Sequence, residues 1–309
     1  MKEMNQRASN IGVIVVTYNR LEKLKKALNA YAGQNLLPKY VLIVDNASSD
    51  GTREFLDVWK EKEEYFDKIV LSLDSNGGGS GGFYAGEKEA VSLHADWIML
   101  ADDDAYPEAD YIEGMQNFID SHNCSQVSAI CGIVVERGKV SLNHRGHLRK
   151  LGILRYQNKL KPEELKEDKI DVDVISYVGI TISMDKLKKA GFVNPGYFIW
   201  NDDVEHCMRL RKFGKLFCIP QYSLIHDFEA KNSGLNWKTY YGWRNQIDMY
   251  RRHFPVRFVL GTMYLLGKTC LLPLKGNRWM EMCLRFAAIH DGVFGNLGLH
   301  KKYRPGWKP

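Results

Sequence analysis

Residues 11–51, IGVIVVTYNRLEKLKKALNAYAGQNLLPKYVLIVDNASSDG, decide how this chain is read. Ile11–Thr17 is an unbroken apolar run rich in β-branched residues, the pattern of a strand buried on both faces. After the break at Tyr18-Asn19-Arg20, apolar residues recur at Leu21, Leu24, Ala27, Leu28 and Tyr31, which is helical spacing over Leu21–Ala32. Val41–Val44 is a second buried strand, closed by the turn-rich Asp45–Gly51. The order then repeats: a helix over Thr52–Lys60, a strand over Ile69–Leu73 and a glycine-rich loop over Asn76–Gly82 (NGGGSGG). A helix over Phe83–Leu93 and a strand over Trp97–Leu100 follow, and that strand runs straight into Asp102-Asp103-Asp104. Alternating strands and helices imply βαβ units and a mostly parallel sheet. Such sheets bind ligands outside the carboxyl ends of their strands, where all these polar clusters fall.

Composition narrows the classes further. A chain of 309 residues makes one large domain or two modest ones and needs no covalent staples to bury its core. With 27 Gly, 9 Pro and 45% hydrophobic residues it is neither collagen-like nor disordered. Six cysteines without a CxxC spacing exclude zinc ribbons and thioredoxin-type motifs, and fit a reducing compartment. Met1–Asn10 is polar and is not expected to be a signal peptide.

The net charge of +6 divides unevenly. Residues 231–309 carry 14 Lys and Arg against 3 Asp and Glu, a net of +11, which leaves −5 for residues 1–230. An acidic body joined to a basic tail points to two tasks. Within the tail, Val256–Leu274 is strongly apolar but holds Arg257, Lys268 and Pro273, so it is expected to pack on the body or lie on a membrane surface rather than span a bilayer. Residues 137–170 are basic, polar and weakly periodic, and read as an insertion placed over the site. Asp173–Ser183 returns to a strand-like pattern.

Three features carry chemistry. Adjacent carboxylates repel one another unless a cation lies near. Asp102 and Asp104 point the same way in an extended segment and can share one divalent ion, Mg²⁺ or Mn²⁺, although a solvated acidic turn has the same sequence. The glycines of 76–82 allow close backbone approach to a ligand, yet the segment lacks the P-loop ending and the dinucleotide fingerprint. Gly196–Arg211 places Trp200, Asn201, Asp202 and Asp203 at the start of a helix, where the acids serve as simple caps or as a general base, with Trp200 as a platform for a sugar ring. His226, after a strand-like stretch, is a structural histidine or a further metal ligand.

Taken together, VVTYNR (15–20), VDNASSDGT (44–52), NGGGSGGF (76–83), DDDA (102–105), WNDDVE (200–205), His226 and YYGWRN (240–245) resemble the inverting nucleotide-sugar glycosyltransferases of family 2, which have the GT-A fold. The GGSGGF and WNDDVE forms are most similar to the galactofuranosyltransferase and rhamnosyltransferase branches, although here Asn201 stands between Trp200 and the acids. The resemblance implies the following roles. Thr17, Tyr18, Arg20, Asp45 and Asn46 line a uridine pocket. Asn76, Gly79 and Ser80 lie along the donor diphosphate and sugar, with Asp103 also on the donor side and Arg244 near the donor site or the domain junction. Asp102, Asp104 and His226 hold Mn²⁺ or Mg²⁺. Asp203 is the catalytic base, and Trp200 and Asp202 hold the acceptor.

The expected arrangement is therefore a GT-A catalytic domain over 1–230, with its donor half near 10–105 and its acceptor half near 106–230, followed by a helical basic region over 231–309. The expected substrates are a nucleotide-sugar, first UDP-galactofuranose and then dTDP-rhamnose, and a lipid-linked glycan, handled by a cytoplasmic enzyme against the inner face of an anionic membrane. Three other readings compete. A nucleotidyltransferase usually has its glycine-rich loop near the N-terminus, where this chain has VVTYNR. A nucleic-acid-binding protein would set aromatics along a basic groove, whereas Trp237, Tyr240, Tyr241 and Trp243 cluster with apolar residues. A non-catalytic sugar-binding relative would not keep Asp102, Asp104 and Asp203.

Overall fold

Ile11–Thr17 forms strand β1, and every residue of it is buried. A computed structural model describes residues 9–309 except 65, 150, 151, 153, 154, 229–233 and 277. Along the first third, β1 is followed by α1 (Leu21–Ala32), β2 (Tyr40–Asp45), α2 (Thr52–Glu61), β3 (Asp67–Ser72), α3 (Gly78–Ala90) and β4 (Trp97–Asp102). Next come β5 (Ala105–Pro107), α4 (Tyr111–Ser121), β6 (Val127–Glu136), β7 (Lys139–Ser141), β8 (Arg145–Leu148) and β9 (Gln157–Lys159). Strands β10 (Ile170–Val172), β11 (Val174–Ile175) and β12 (Ile180–Ser183), helices α5 (Met184–Ala190) and α6 (Asp202–Leu210), and the long β13 (Lys215–His226) complete the body. Helices α7 (Trp237–His253), α8 (Pro255–Cys270) and α9 (Trp279–Phe294) form the C-terminal part.

The main sheet runs β10-β13-β6-β12-β4-β1-β2-β3. Its N-terminal half, β4-β1-β2-β3, is wholly parallel, as the βαβ pattern requires. Beyond β4 the sheet is mixed: β12 is antiparallel to both β4 and β6, and β13 is parallel to β6. Core packs on both faces. Ile14 and Val16 of β1 belong to one apolar cluster, Ile11, Val13 and Val15 to the other, the period-two alternation of a strand. This is the GT-A arrangement, a curled mixed sheet between helical layers.

The glycine-rich segment differs from the expected loop. A tight turn at Asn76-Gly77 leads directly into α3, which begins at Gly78. Its glycines serve helix packing: a Cβ on Gly82 would stand 2.4 Å from Val16 Cγ1, and one on Gly86 2.5 Å from Ile14 Cγ2. Absence of side chains lets α3 lie directly on β1. Residues 137–170 are not a single flap either. They contribute β7 to the main sheet and build the small sheet β11-β8-β9 together with β11. The apolar stretch 256–274 falls in α8 and a following 3₁₀ turn, and no described helix is long and apolar enough to cross a membrane. The expected boundary at residue 230 and most of the polar N-terminal stretch, residues 1–8, lie outside the described residues.

Gly82→Ala should overpack the α3–β1 contact and destabilise the fold by about 1–3 kcal/mol, read from urea unfolding. Gly79 is the control, since a Cβ added there would meet nothing within 4 Å: Gly79→Ala should be neutral or slightly stabilising. Equal stability of the two variants would refute the packing role.

Candidate active site

Register places the acids. Thr17 at the end of β1 pairs with Asp45 at the end of β2, and Val16 pairs with Asp102 at the end of β4. The carboxyl ends of three parallel strands thus present Thr17, Asp45 and Asp102 in one row. Thr17 Oγ1 donates to Asp103 Oδ2 at 2.8 Å. Arg20, just past β1, donates to Asp103 Oδ1 at 3.1 Å and to Asp104 Oδ2 at 2.7 Å. Burial pushes the Asp103 carboxyl up to about 6 despite the Arg20 charge. Asp102 is raised further, by burial and then by the neighbouring charges of Asp104 and Asp103. Asp45 is fully buried; its Oδ2 accepts no hydrogen bond, and Arg53 Nε stands 3.6 Å away. Tyr18 is exposed at 42% beside this row.

Pairing of β13 with β5 brings in His226, which stands opposite Ala105. Its Nε2 is 3.5 Å from Asp104 Oδ1. Burial opposes charge on Asp104, but the hydrogen bond to His226 and the positive Arg20 outweigh it and hold this carboxyl below its ordinary range. An imidazole nitrogen and a carboxylate oxygen at this spacing, next to the strongly repelled Asp102, fit a divalent cation. One difference from the expected ligand set stands out. Among the described residues, the group of three metal-binding side chains with donor atoms within 4.8 Å of one another is Glu136, His144 and His226, not Asp102, Asp104 and His226. Glu136 and His144 carry no sequence signal, because only the β6–β13 register brings them beside His226.

The glycine turn is tied to both sides. Asn46 Nδ2 donates to the Gly78 carbonyl at 2.8 Å, and its Oδ1 accepts from Gly77 N at 3.0 Å. Asn76 Oδ1 accepts from Gly78 N at 2.8 Å. These two side chains, expected along the donor, shape the turn. Gly79 faces open space. Ser80 is fully buried, and its hydroxyl donates to Asp202 Oδ2 at 2.8 Å rather than lying free along a diphosphate.

Helix α6 carries Asp202 and Asp203 in its first turn, where the helix dipole favours them. Burial, followed by the Asp202 charge, pushes the Asp203 carboxyl up to about 7. Asp203 Oδ1 accepts from the adjacent Val204 N–H at 2.7 Å. The chain reaches α6 through Phe198, Trp200 and Asn201, three non-glycine residues with positive φ of 64°, 67° and 61°, a conformation such residues adopt only when their surroundings impose it. The inserted Asn201 takes the left-handed N-cap position, its Oδ1 accepting from the Tyr156 hydroxyl at 2.9 Å. Trp200 is 47% exposed and rests against Gly242 of α7, where a Cβ would approach its ring to 3.1 Å.

Arg244 lies where α7 meets the body, one of its two expected places. Its guanidinium is buried and donates to the carbonyls of Gly196, Tyr197 and Gly298 and to Asn245 Oδ1. It holds the 196–200 turn. The neighbouring Asn245, the last residue of the YYGWRN segment, has no role that sequence reading assigns. It donates to the carbonyls of Tyr197 at 2.9 Å, Ile199 at 2.8 Å and Trp200 at 2.8 Å. Helix α7 thereby clamps the turn that delivers the acids.

Asn245→Ala leaves buried carbonyls of that turn without donors, and should cost about 2–4 kcal/mol and expose the peptide bonds of 197–200 to chymotrypsin. An unchanged urea midpoint with full protease resistance would refute the clamp.

Comparison with known proteins agrees with this geometry. The sequence model for "Glycosyl transferase family 2" matches residues 12–191. The chain is similar to the galactofuranosyltransferase GlfT1 of Mycolicibacterium smegmatis, 33% identical over 122 residues, 39% of each chain. The matched stretch thus spans about two fifths of that relative. It is also similar to the abequosyltransferase RfbV of Salmonella typhimurium, 26% identical over 268 residues, 73% of this chain and 77% of that one. In fold it resembles S. aureus TarS 1-349 in complex with UDP-GlcNAc, with a TM-score of 0.60 and 16% identity over 92% of this chain and 81% of that one. GalNAc-T7 with UDP, GalNAc and Mn²⁺ superposes with a TM-score of 0.64 and 12% identity over 94% of this chain and 57% of that one. A parallel half-sheet ending in Asp45 and Asp102–Asp104, with a second acid pair opening α6, is thus met in a chain more than half of which matches one family, and this protein belongs to glycosyl transferase family 2.

Proposed function

We propose that the chain is a metal-dependent, inverting transferase that moves a sugar from a nucleotide-sugar, with UDP-galactofuranose the first choice and dTDP-rhamnose the second, to a lipid-linked glycan at the cytoplasmic face of a membrane. This reading rests on the division of labour between two acid clusters. Asp102–Asp104 and His226 form a site suited to a cation and a diphosphate. Asp203 is a separate carboxyl raised to about 7, where a general base works best near neutral pH. The UDP complex of TarS and the Mn²⁺ in GalNAc-T7 support the donor and metal choices. The galactofuranosyltransferase relatives support the sugar.

Asp104 and His226, with Asp102 beside them, would hold Mn²⁺ or Mg²⁺, which supplies Lewis-acid neutralisation of the charge on the departing diphosphate. Thr17 and Arg20 fix Asp103 and Asp104 in place. Asp45, whose buried Oδ2 accepts no hydrogen bond from the described residues, is suited to accept an N–H or O–H of the nucleoside. Asp203 takes the proton of the acceptor hydroxyl as that oxygen bonds to the anomeric carbon and the bond to the diphosphate breaks. One displacement inverts the anomeric centre. Asp202, oriented by Ser80, and the open face of Trp200 hold the acceptor ring. One carboxylate suffices, whereas glycoside hydrolysis needs two, one as acid.

The tail supports the location. On α8 and the turn after it, Val256, Val259, Leu260, Met263, Leu271 and Leu274 are exposed and recur at helical spacing on one side, with Leu265 and Thr269 buried on the other. Arg257, Lys268 and Arg278 accompany this stripe. An apolar stripe with basic neighbours fits the interface of an anionic bilayer, with about 1 kcal/mol per basic residue near the surface.

Asp203→Asn should lower transfer by about 10²–10⁴-fold while UDP affinity persists; retained transfer would reject the base assignment. Because the raised Asp203 must lose its proton to act, the wild-type rate should rise with pH through about 7 and fall below it. A profile flat from about pH 5 to 8 would contradict this. In flotation assays, Met263→Glu with Leu274→Glu should release the protein from phosphatidylglycerol-containing liposomes; undiminished binding would reject the membrane face.

A further inference from the structure

Glu136 ends β6 and belongs to none of the motifs that carry the family resemblance. The parallel register of β13 on β6 sets Leu224 by Val134 and Ile225 by Val135, so the next step puts His226 beside Glu136. His226 Nδ1 lies 2.9 Å from Glu136 Oε1. The same oxygen is 2.9 Å from His144 Nε2, and His144 stands edge-on to His226 with ring centroids 5.1 Å apart. Behind His144, its Nδ1 is 2.9 Å from Ser176 Oγ, and Arg145 Nη1 donates to that hydroxyl at 3.2 Å.

The polarity of this chain follows from what each group can do. A guanidinium only donates. Ser176 accepts from Arg145, and because the acceptor-only Glu136 carboxylate takes the Nε2 hydrogen of His144, the Ser176 hydroxyl turns its own hydrogen toward His144 Nδ1. The neutral His144 ring then carries its hydrogen on Nε2 and donates it to Glu136. A carboxylate only accepts, so His226 must donate from Nδ1. That leaves Nε2, the nitrogen 3.5 Å from Asp104 Oδ1, as the one that can turn a lone pair to a cation. Phe228, stacked on His226 at 17° and 5.4 Å, further limits the ring.

We propose that Glu136 is a positioning residue for the cation site: it fixes the tautomer and orientation of His226, and His144, Ser176 and Arg145 fix Glu136 in turn. This rests on the reading of Asp104 and His226 as cation ligands. The segment after β6, which supplies His144 and Arg145, is thereby a buttress of the metal site. Outer partners of this kind typically change metal affinity by about 10–100-fold when removed.

The test is Mn²⁺ binding by the full chain with UDP present, followed by the electron paramagnetic resonance signal of free Mn²⁺, with thermal unfolding in the absence of metal as the check on folding. Glu136→Ala should weaken Mn²⁺ binding about 10–100-fold. His144→Ala should weaken it less, and His144→Gln, which keeps an N–H to donate, should restore part of the loss. The loss should be larger for Mn²⁺ than for Mg²⁺, since nitrogen ligation favours the former; a merely structural defect weakens both alike. Asp104→Asn separates the two ideas. If it binds Mn²⁺ as well as wild type, the cation-site reading itself falls. If it abolishes binding while Glu136→Ala and His144→Ala bind as wild type does, the positioning role is wrong. Should Glu136→Ala fail to fold, the His144 pair decides alone: unchanged Mn²⁺ affinity in His144→Ala overturns the proposal.

Discussion

Negative charge gathered in a low-dielectric place is the constraint around which this molecule is built. Like charges a few ångströms apart repel by several kcal/mol near a protein surface, yet the ends of parallel strands set Asp45, Asp102, Asp103 and Asp104 side by side. Part of the repulsion is met within the chain. Arg20 bridges Asp103 and Asp104, Thr17 donates to Asp103, and His226 lies against Asp104. Asp102 keeps its unfavourable environment, held high by burial and by its two neighbours. An arrangement that leaves a carboxylate this poorly compensated is one that a cation would relieve, and perturbed groups of this kind concentrate where chemistry is done.

The second acid pair is held by a different device. Asp202 and Asp203 start a helix that the chain enters through three left-handed residues, Phe198, Trp200 and Asn201. Such a turn stands only if its carbonyls are gripped from outside. Arg244 and Asn245 of α7 provide that grip, and Tyr197 is tied to Asp248 of the same helix at 3.0 Å. The C-terminal helices are therefore part of the site's framework as well as carriers of the exposed apolar stripe. Two contacts join the acid pair to the donor side. Ser80 of α3 donates to Asp202, and the Phe198 carbonyl sits where a Cβ of Gly78 would be.

Where sequence pattern misleads, the reason lies in this cross-chain bonding. The run NGGGSGG reads as a flexible loop because glycine weakens helices. Here the same residues continue as α3, since only a bare backbone fits against Val16 and Ile14. Arg244 is placed by the resemblance near the donor site or the domain junction, and its bonds lie where α7 meets the body. The carbonyls it binds belong to segments distant in sequence, so local pattern does not reveal them. Asn46 and Asn76 bond backbone groups of the glycine turn and Ser80 bonds Asp202 of α6, so all three side chains meet protein groups. Glu136 and His144 escape sequence reading because a lone Glu and a lone His in a polar stretch carry no periodic or spacing signal.

Short-range rules settle part of this protein before it folds. Strand β1 is legible because an unbroken run so rich in β-branched residues has few other uses, and α1 because its apolar positions follow a 3.6-residue period. The acids are legible because they follow such strands directly, and the chain's charge asymmetry needs only counting. Partnership, in contrast, belongs to the folded chain. The mixed half of the sheet, the meeting of His226 with Asp104, the relay through Glu136 and the clamp on the 196–200 turn all join residues far apart in sequence. Hydrogen bonds and strand register act on distance in space, and a linear pattern records that distance only where the backbone itself is regular.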